Sequence, residues 1–172
     1  NQVRIAEDGE ILVKGENVML GYWNNDEETK KVLKDGWLHT GDIGVFDEGY
    51  LKITDRKKDI LITPGGDNIS PVKIENELSN SSFIDQSIVY GDNKPYLVAL
   101  LVLSDEHLNA TQEELEKEID KVNLNLSKIE NIKKFFVIKE KFSIENGMLT
   151  PTLKLKRYKI VQKYKNEFEK LY

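Results

Sequence analysis

The stretch YLKITDRKKDILITPGGDNISPVKIE, residues 50–75, decides how this sequence divides. Around its first residues, Leu51 and Ile53 alternate with polar positions, the period-two pattern of a half-buried strand. Further on, residues 60–62 form a short apolar run that stops at Pro64-Gly65-Gly66. Ser70-Pro71 then opens a helix: the serine oxygen can accept from a free first-turn N–H, and proline there gives up only a donor that has no partner. That helix carries Ile74 and Leu78 on one face. The boundary near residue 55 separates a β-rich region from one in which strands alternate with helices.

Upstream, residues 3–14 read as two strands joined at Glu7-Asp8-Gly9, with Ile11 and Val13 alternating. A second hairpin runs from Val45-Phe46 through Asp47-Glu48-Gly49 to Leu51 and Ile53, glycine again taking the left-handed position. Between the hairpins, Asn25 caps a short predicted helix, with Glu28 three residues on, Val32 and Leu33 as apolar contacts and an end near Gly36. Downstream, strands are predicted over 86–90 and 96–103, paired antiparallel through the turn at 91–95. Thr111 and Glu114 form a capping box for a helix whose stripe is Leu115, Ile119, Val122, Leu126 and Ile129. A strand at 135–138, a turn at Asn146-Gly147 and a closing helix with Ile160, Tyr164, Phe168 and Leu171 inward complete the pattern. The expected fold class is α+β: a small β-rich subdomain, then a mobile α+β domain with a short mixed sheet flanked by helices.

The composition narrows the function. A chain of 172 residues can bury a real core, and no stretch approaches the roughly 20 consecutive apolar residues of a membrane span. A formal charge of -5 leaves no basic excess for the phosphates of a duplex, so nucleic acid is not an expected partner. The absence of cysteine excludes disulfides, thiolate catalysis and thiolate-bound zinc. His39 and His107 are too few for a histidine metal cluster, and no metal ligand is assigned. The opening Asn1-Gln2-Val3-Arg4 has neither an initiator methionine nor a signal-peptide core, and is read as the start of a piece cut from a longer chain.

Four segments taken together, GEILVKGENVMLGYWNN (9–25), DGWLHTGD (35–42), the stretch at 50–75 and NGMLTPTLKLKR (146–157), resemble in order and spacing the adenylate-forming superfamily of acyl-CoA synthetases, luciferases and peptide-synthetase adenylation domains. The last two look most like the long-chain fatty-acid–CoA ligase branch. The resemblance implies that residues 1–56 end a large N-terminal adenylation domain, 57–59 are a hinge and 60–172 a mobile C-terminal domain. It implies fatty acid, ATP with Mg2+ and CoA as substrates of the intact enzyme, with the missing N-terminal domain as partner. The piece alone is expected to be inactive and to hold none of these tightly. A cytoplasmic protein is implied, with peripheral membrane attachment through the missing part as a further expectation. Two alternatives are activation of a carboxylate for a carrier protein, and a non-catalytic interaction domain that kept the fold.

The same resemblance assigns residues. Asp42 would hold the ribose hydroxyls of ATP and of the acyl-adenylate, since a carboxylate has two acceptor oxygens; taken alone, Thr40-Gly41-Asp42 describes a turn aspartate. Arg56, with its fixed fork of donors, would serve the nucleotide. Lys58 falls at the hinge, where many members carry aspartate. Gly65 and Gly66 would line the path of the pantetheine arm of CoA, or form a plain turn between strand and helix. Lys154 matches the mobile catalytic lysine, whose ammonium would stabilise the charge that builds on the α-phosphoryl group during carboxylate attack. Leu153 stands where many relatives carry glycine, and Lys156, two residues on, competes for the catalytic assignment.

Overall fold

The computed structural model describes all residues, 1–172, and the chain separates into two compact units, Asn1–Ile60 and Leu61–Tyr172.

The first unit is a five-stranded antiparallel sheet. β1 (Gln2–Ile5) pairs with β2 (Glu10–Lys14), and β2 with the long β4 (Trp37–Asp47), which also pairs with β3 (Leu33–Lys34) and β5 (Tyr50–Arg56). β4 thus pairs with three strands, its first half meeting β3 and β2 and its second half β5. Ile43 is in register with both Glu10 and Asp55, and the β4–β5 register shifts between Ile43 and Gly44, where a side chain would collide with the Lys52 carbonyl oxygen at 2.6 Å and with Ile11 Cδ1 at 2.7 Å. Helix α1 (Asp26–Val32) begins as expected, Asn25 Oδ1 accepting from the Glu28 amide at 3.2 Å. It ends before the expected position near Gly36. Leu33 enters a strand instead, because Asp35 and Gly36, with φ of +53° and +77°, form a tight turn that folds β3 onto β4.

The second unit opens with a small hairpin, β6 (Leu61–Ile62) and β7 (Asn68–Ile69), followed by α2 (Pro71–Ser79) with Ser70 as its cap. The sequence reading missed β7. A three-stranded sheet of order β10-β9-β8 follows, β8 (Ile84–Tyr90) antiparallel and β10 (Ile132–Ile138) parallel to the central β9 (Leu97–Leu103). All seven residues of β9 are buried. Its odd positions, Leu97, Ala99 and Leu101, pack with Ile74, Leu78, Ile119 and Val122, while Val98, Leu100 and Val102 pack with Met148, Ile160 and Phe168. A strand covered on both faces reads as one apolar run, because either side of the pleat meets protein.

Helix α3 (Gln112–Asn123) has both halves of the capping box, but it stops short of Ile129, which is half-exposed. Asn123 accounts for the stop: its amide donates to the Ile132 carbonyl at 3.0 Å and its oxygen accepts from the Ile132 amide at 2.9 Å, turning the chain into β10. The closing helix is two pieces, α4 (Arg157–Lys163) and α5 (Lys165–Glu169), interrupted at Tyr164 where φ is -103° and ψ 22°. Ile160 and Phe168 are fully buried across that break, and Tyr164 and Leu171 pack partly buried on the same core.

Candidate functional site

In the first unit, Asp42 and Arg56 are register partners on β4 and β5, and Arg56 Nε lies 2.8 Å from Asp42 Oδ1. The ladder itself sets the pair. The strand that carries Asp42 is further pinned by Thr40, whose hydroxyl donates to the Ile11 carbonyl at 2.7 Å and accepts from the Asp42 amide at 3.1 Å. Asp42 is three-quarters buried at its side chain, while the Arg56 side chain is 57% exposed. One Asp42 oxygen and the two terminal guanidinium nitrogens remain for a ligand.

Beneath this pair lies a network that the sequence reading did not find. Glu10, buried at the start of β2, accepts from the Gly41 amide at 2.9 Å and contacts His39 Nδ1 at 2.9 Å and Lys57 Nζ at 3.0 Å. Lys57 also donates to Asp8 at 2.6 Å. Burial pushes the Glu10 carboxyl up, but the bonds from His39, Lys57 and the Gly41 amide outweigh it and leave the group below its ordinary value. The Lys57 hydrogen bond holds Asp8 low in the same way, and Asp8 and then Glu10 push Lys57 up. Four residues from three sequence neighbourhoods, Asp8 and Glu10, His39, and Lys57, thus tie the segment bearing Asp42 to the residue after Arg56. The only sequence signal was a glutamate following Gly9 where the strand turns inward. An open cleft of about 440 Å³ borders this network, lined among others by Tyr22, Leu38 and His39.

Lys58 sits in the middle of a single 3-10 turn, Lys57–Asp59, with its side chain exposed. Gly65 and Gly66 occupy the turn of the β6–β7 hairpin, closed by the Gly66 amide on the Thr63 carbonyl at 2.9 Å and the Thr63 amide on the Asp67 carbonyl at 3.0 Å. Gly66 needs to be glycine for its backbone, with φ of +88°, and space beyond it is open. Gly65 has no such backbone requirement. A cleft of about 460 Å³ lies beside Gly65, with Lys94, Tyr96, Lys128 and Lys133 among its lining. Lys154 is not part of it.

Lys154 stands on an exposed loop closed by a bridge between Leu149 and Leu155. Its backbone is held twice by Thr150, whose amide donates to the Lys154 carbonyl at 2.8 Å and whose hydroxyl accepts from the Lys154 amide at 3.0 Å. Leu153 has φ of +60°, a conformation suited to glycine, which gives a backbone reason for the glycine expected there in relatives. Lys156 differs in setting: it is the residue before α4, half-buried, its amide bonded to the Met148 carbonyl at 2.8 Å. No group of three or more histidine, aspartate or glutamate side chains is arranged to hold a metal ion, and no helix is long and apolar enough to cross a membrane.

The chain is thus an antiparallel β unit bearing an Asp–Arg pair followed by an α+β unit with an exposed lysine loop, and solved structures similar to it are adenylation domains and adenylate-forming synthetases. Residues 58–172 match the family described as AMP-binding enzyme C-terminal domain, and the chain belongs to it. The whole chain is 39% identical to long-chain-fatty-acid–CoA ligase FadD15 of Mycobacterium tuberculosis and 38% identical to long-chain-fatty-acid–CoA ligase 5 of Rattus norvegicus. It spans 32% and 29% of their lengths. Among solved structures, the adenylation domain of the carboxylic acid reductase from Segniliparus rugosus, in complex with AMP and a carboxylic acid, is similar with a TM-score of 0.86 at 28% identity, over 95% of this chain and 28% of that one. O-succinylbenzoate Coenzyme A synthetase from Bacillus subtilis, in complex with AMP, is similar with a TM-score of 0.72 at 31% identity, over 91% of this chain and 32% of that one.

Proposed function

We propose that this chain acts as the C-terminal part of a longer AMP-forming ligase that joins a long-chain fatty acid to CoA. In the first half-reaction the fatty-acid carboxylate attacks the α-phosphorus of ATP and pyrophosphate leaves. In the second, the CoA thiol attacks the acyl carbonyl and AMP leaves. The observation that carries this reading is the Asp42–Arg56 pair, fixed across two strands in the HTGD segment with polar atoms to spare. Asp42 accepts from the ribose hydroxyls and Arg56 donates to the nucleotide. Lys154 brings its ammonium to the α-phosphoryl oxygens as their charge grows, and the exposed loop with an unengaged ammonium supports that role.

In this reading residues 57–59 are the hinge, with Lys58 at the pivot and residues 60–172 as the mobile domain. The Gly66 backbone and the open space beside it let the pantetheine arm pass close to the main chain. Magnesium rides on the ATP phosphates, with no ligand from this chain. By itself the chain offers only some of the groups that a nucleotide pocket needs.

The test is to supply the full-length protein with ATP, CoA and a panel of carboxylic acids. Acyl-CoA, AMP and pyrophosphate should form in equal amounts, best with long-chain acids. Absence of acyl-CoA with every acid would overturn the reading. A carrier-protein acceptor is the second reading, favoured by the closer likeness in fold to the carboxylic acid reductase domain than to the CoA synthetase. It predicts acylation of a phosphopantetheinyl carrier in place of CoA.

A further inference from the structure

Glu75 and Arg157 are 82 residues apart in sequence and buried together. Glu75 lies in α2 and is 7% exposed; Arg157 opens α4, three residues after Lys154, with its side chain 15% exposed. They meet at one peptide group of β8. The Val89 amide donates to Glu75 Oε1 at 2.8 Å, Arg157 Nη1 donates to the Val89 carbonyl at 3.1 Å, and Arg157 Nη2 closes the ring on Glu75 Oε2 at 2.6 Å. β8 is an edge strand, so the outward N–H and C=O of Val89 have no strand to pair with. The two side chains take the place of one.

The same pair stands beside two loops. Glu75 is in the helix that follows the hairpin of Gly65 and Gly66, and Arg157 ends the loop of Lys154. An ammonium on a long flexible stem is placed only as well as the backbone beneath it. For the Lys154 loop that backbone is tied to Thr150 on one side and to Met148 through the Lys156 amide on the other. Arg157 then fastens its end to the sheet.

We propose that Glu75 and Arg157 are positioning residues for Lys154: their buried pair on the Val89 peptide fixes the 149–157 segment against the edge of the sheet and so sets where the lysine is delivered. The inference rests on the reading of Lys154 as the adenylation lysine. The site needs a guanidinium, because one nitrogen must meet a carboxylate and another a carbonyl, a fork that a lysine cannot reproduce.

The experiment compares Arg157→Lys, Glu75→Gln and Lys154→Ala in the full-length protein. It measures fatty-acid-dependent pyrophosphate exchange together with hydrogen exchange at the amides of residues 153–156 and of β9. Arg157→Lys should lower the adenylation kcat about tenfold or more, with the KM for ATP little changed and thioester formation from supplied acyl-adenylate nearly intact. Exchange at 153–156 should quicken while β9 stays protected, and Glu75→Gln should shift both readouts the same way. If Lys154→Ala abolishes adenylation while both pair variants leave kcat and loop exchange unchanged, the positioning role is wrong. Equal loss of protection in the loop and in β9 would make the pair a general fold clamp and also overturn the role. If Lys154→Ala leaves adenylation intact, the reading of Lys154 itself fails, which separates that failure from the first.

Discussion

Asp42 and Arg56 are placed by the register of a sheet, whereas Lys154 is placed by a loop. In the first case two rigid strands bring carboxylate and guanidinium to 2.8 Å, with a buried network under one of them. In the second, the backbone is held by Thr150 and the ammonium has no partner. The contrast fits the two tasks proposed for them. A ribose held throughout the reaction is best met by groups that do not move, while charge that appears only in the transition state can be met by a cation on a long, unengaged side chain. Sheet register supplies the first and a long side chain on a loop the second.

The contrast breaks most readily at Lys154. In the full-length protein, Lys154→Ala should lower the rate of adenylation by roughly a hundred- to a thousandfold, about 2.7–4 kcal/mol, as for loss of a preorganised electrostatic donor. kcat and kcat/KM should fall together, since the interaction is made only in the transition state. Thioester formation from supplied acyl-adenylate and CoA should change little. Lys156→Ala should disturb neither step. A reversed result, Lys156 essential and Lys154 dispensable, would move the catalytic assignment two residues along the loop.

A smaller effect is expected at the network beneath Asp42. Glu10→Gln keeps the shape but removes the charge that Lys57 and His39 meet, and should cost about 1–3 kcal/mol in the stability of the first unit. Both tryptophans, Trp23 and Trp37, lie in that unit, so their fluorescence in urea follows its unfolding alone. The pH dependence has a definite sign. The Glu10 and Asp8 carboxyls lie below their ordinary values, so their contribution is complete above the carboxylate range and is lost as pH falls through the lowered folded values. Lys57 lies above its ordinary value of 10.5, so its contribution is complete below that and is lost as pH rises through the raised one. Glu10→Gln should therefore flatten the acid limb of stability; an unchanged acid limb would show that the network stabilises through its shape alone.

Features encoded locally were legible in the sequence. The Gly9 and Gly49 turns, the Ser70-Pro71 helix start and the Thr111–Glu114 box each depend on residues within a few positions of one another. Features set across the fold were not. The stop of α3 depends on Asn123 bonding Ile132 nine residues away, and the Glu10 network draws on residues up to 47 positions distant. Alternation along 153–157 treats Lys154 and Lys156 alike, because both project from the same side of an extended pattern. Only the backbone separates them, Lys154 lying within the exposed loop and Lys156 at the start of a helix.

The smallest expected effect sharpens the same contrast. Five residues other than glycine have positive φ: Asn24, Asp35, Glu48, Asn93 and Leu153. Four carry polar side chains in turns. Leu153 is the exception, at +60°, where an L-residue costs roughly 1–2 kcal/mol against right-handed backbone. Its side chain is 68% exposed, so removing it forfeits little packing. Glycine would relieve the strain but add about 0.5–1 kcal/mol of backbone entropy to be lost on folding, leaving a net gain of roughly 0.5 kcal/mol for Leu153→Gly. Leu153→Val should instead destabilise, since a β-branched side chain is least at ease there. Urea unfolding followed by far-ultraviolet circular dichroism gives both signs. Adenylation measured on the same variants then decides what places Lys154. Unchanged adenylation in the more stable Leu153→Gly protein assigns the placement to the anchors at Thr150 and Arg157. A slower reaction despite the gain in stability would mean that the stiffness of Leu153 helps hold the lysine for its one step.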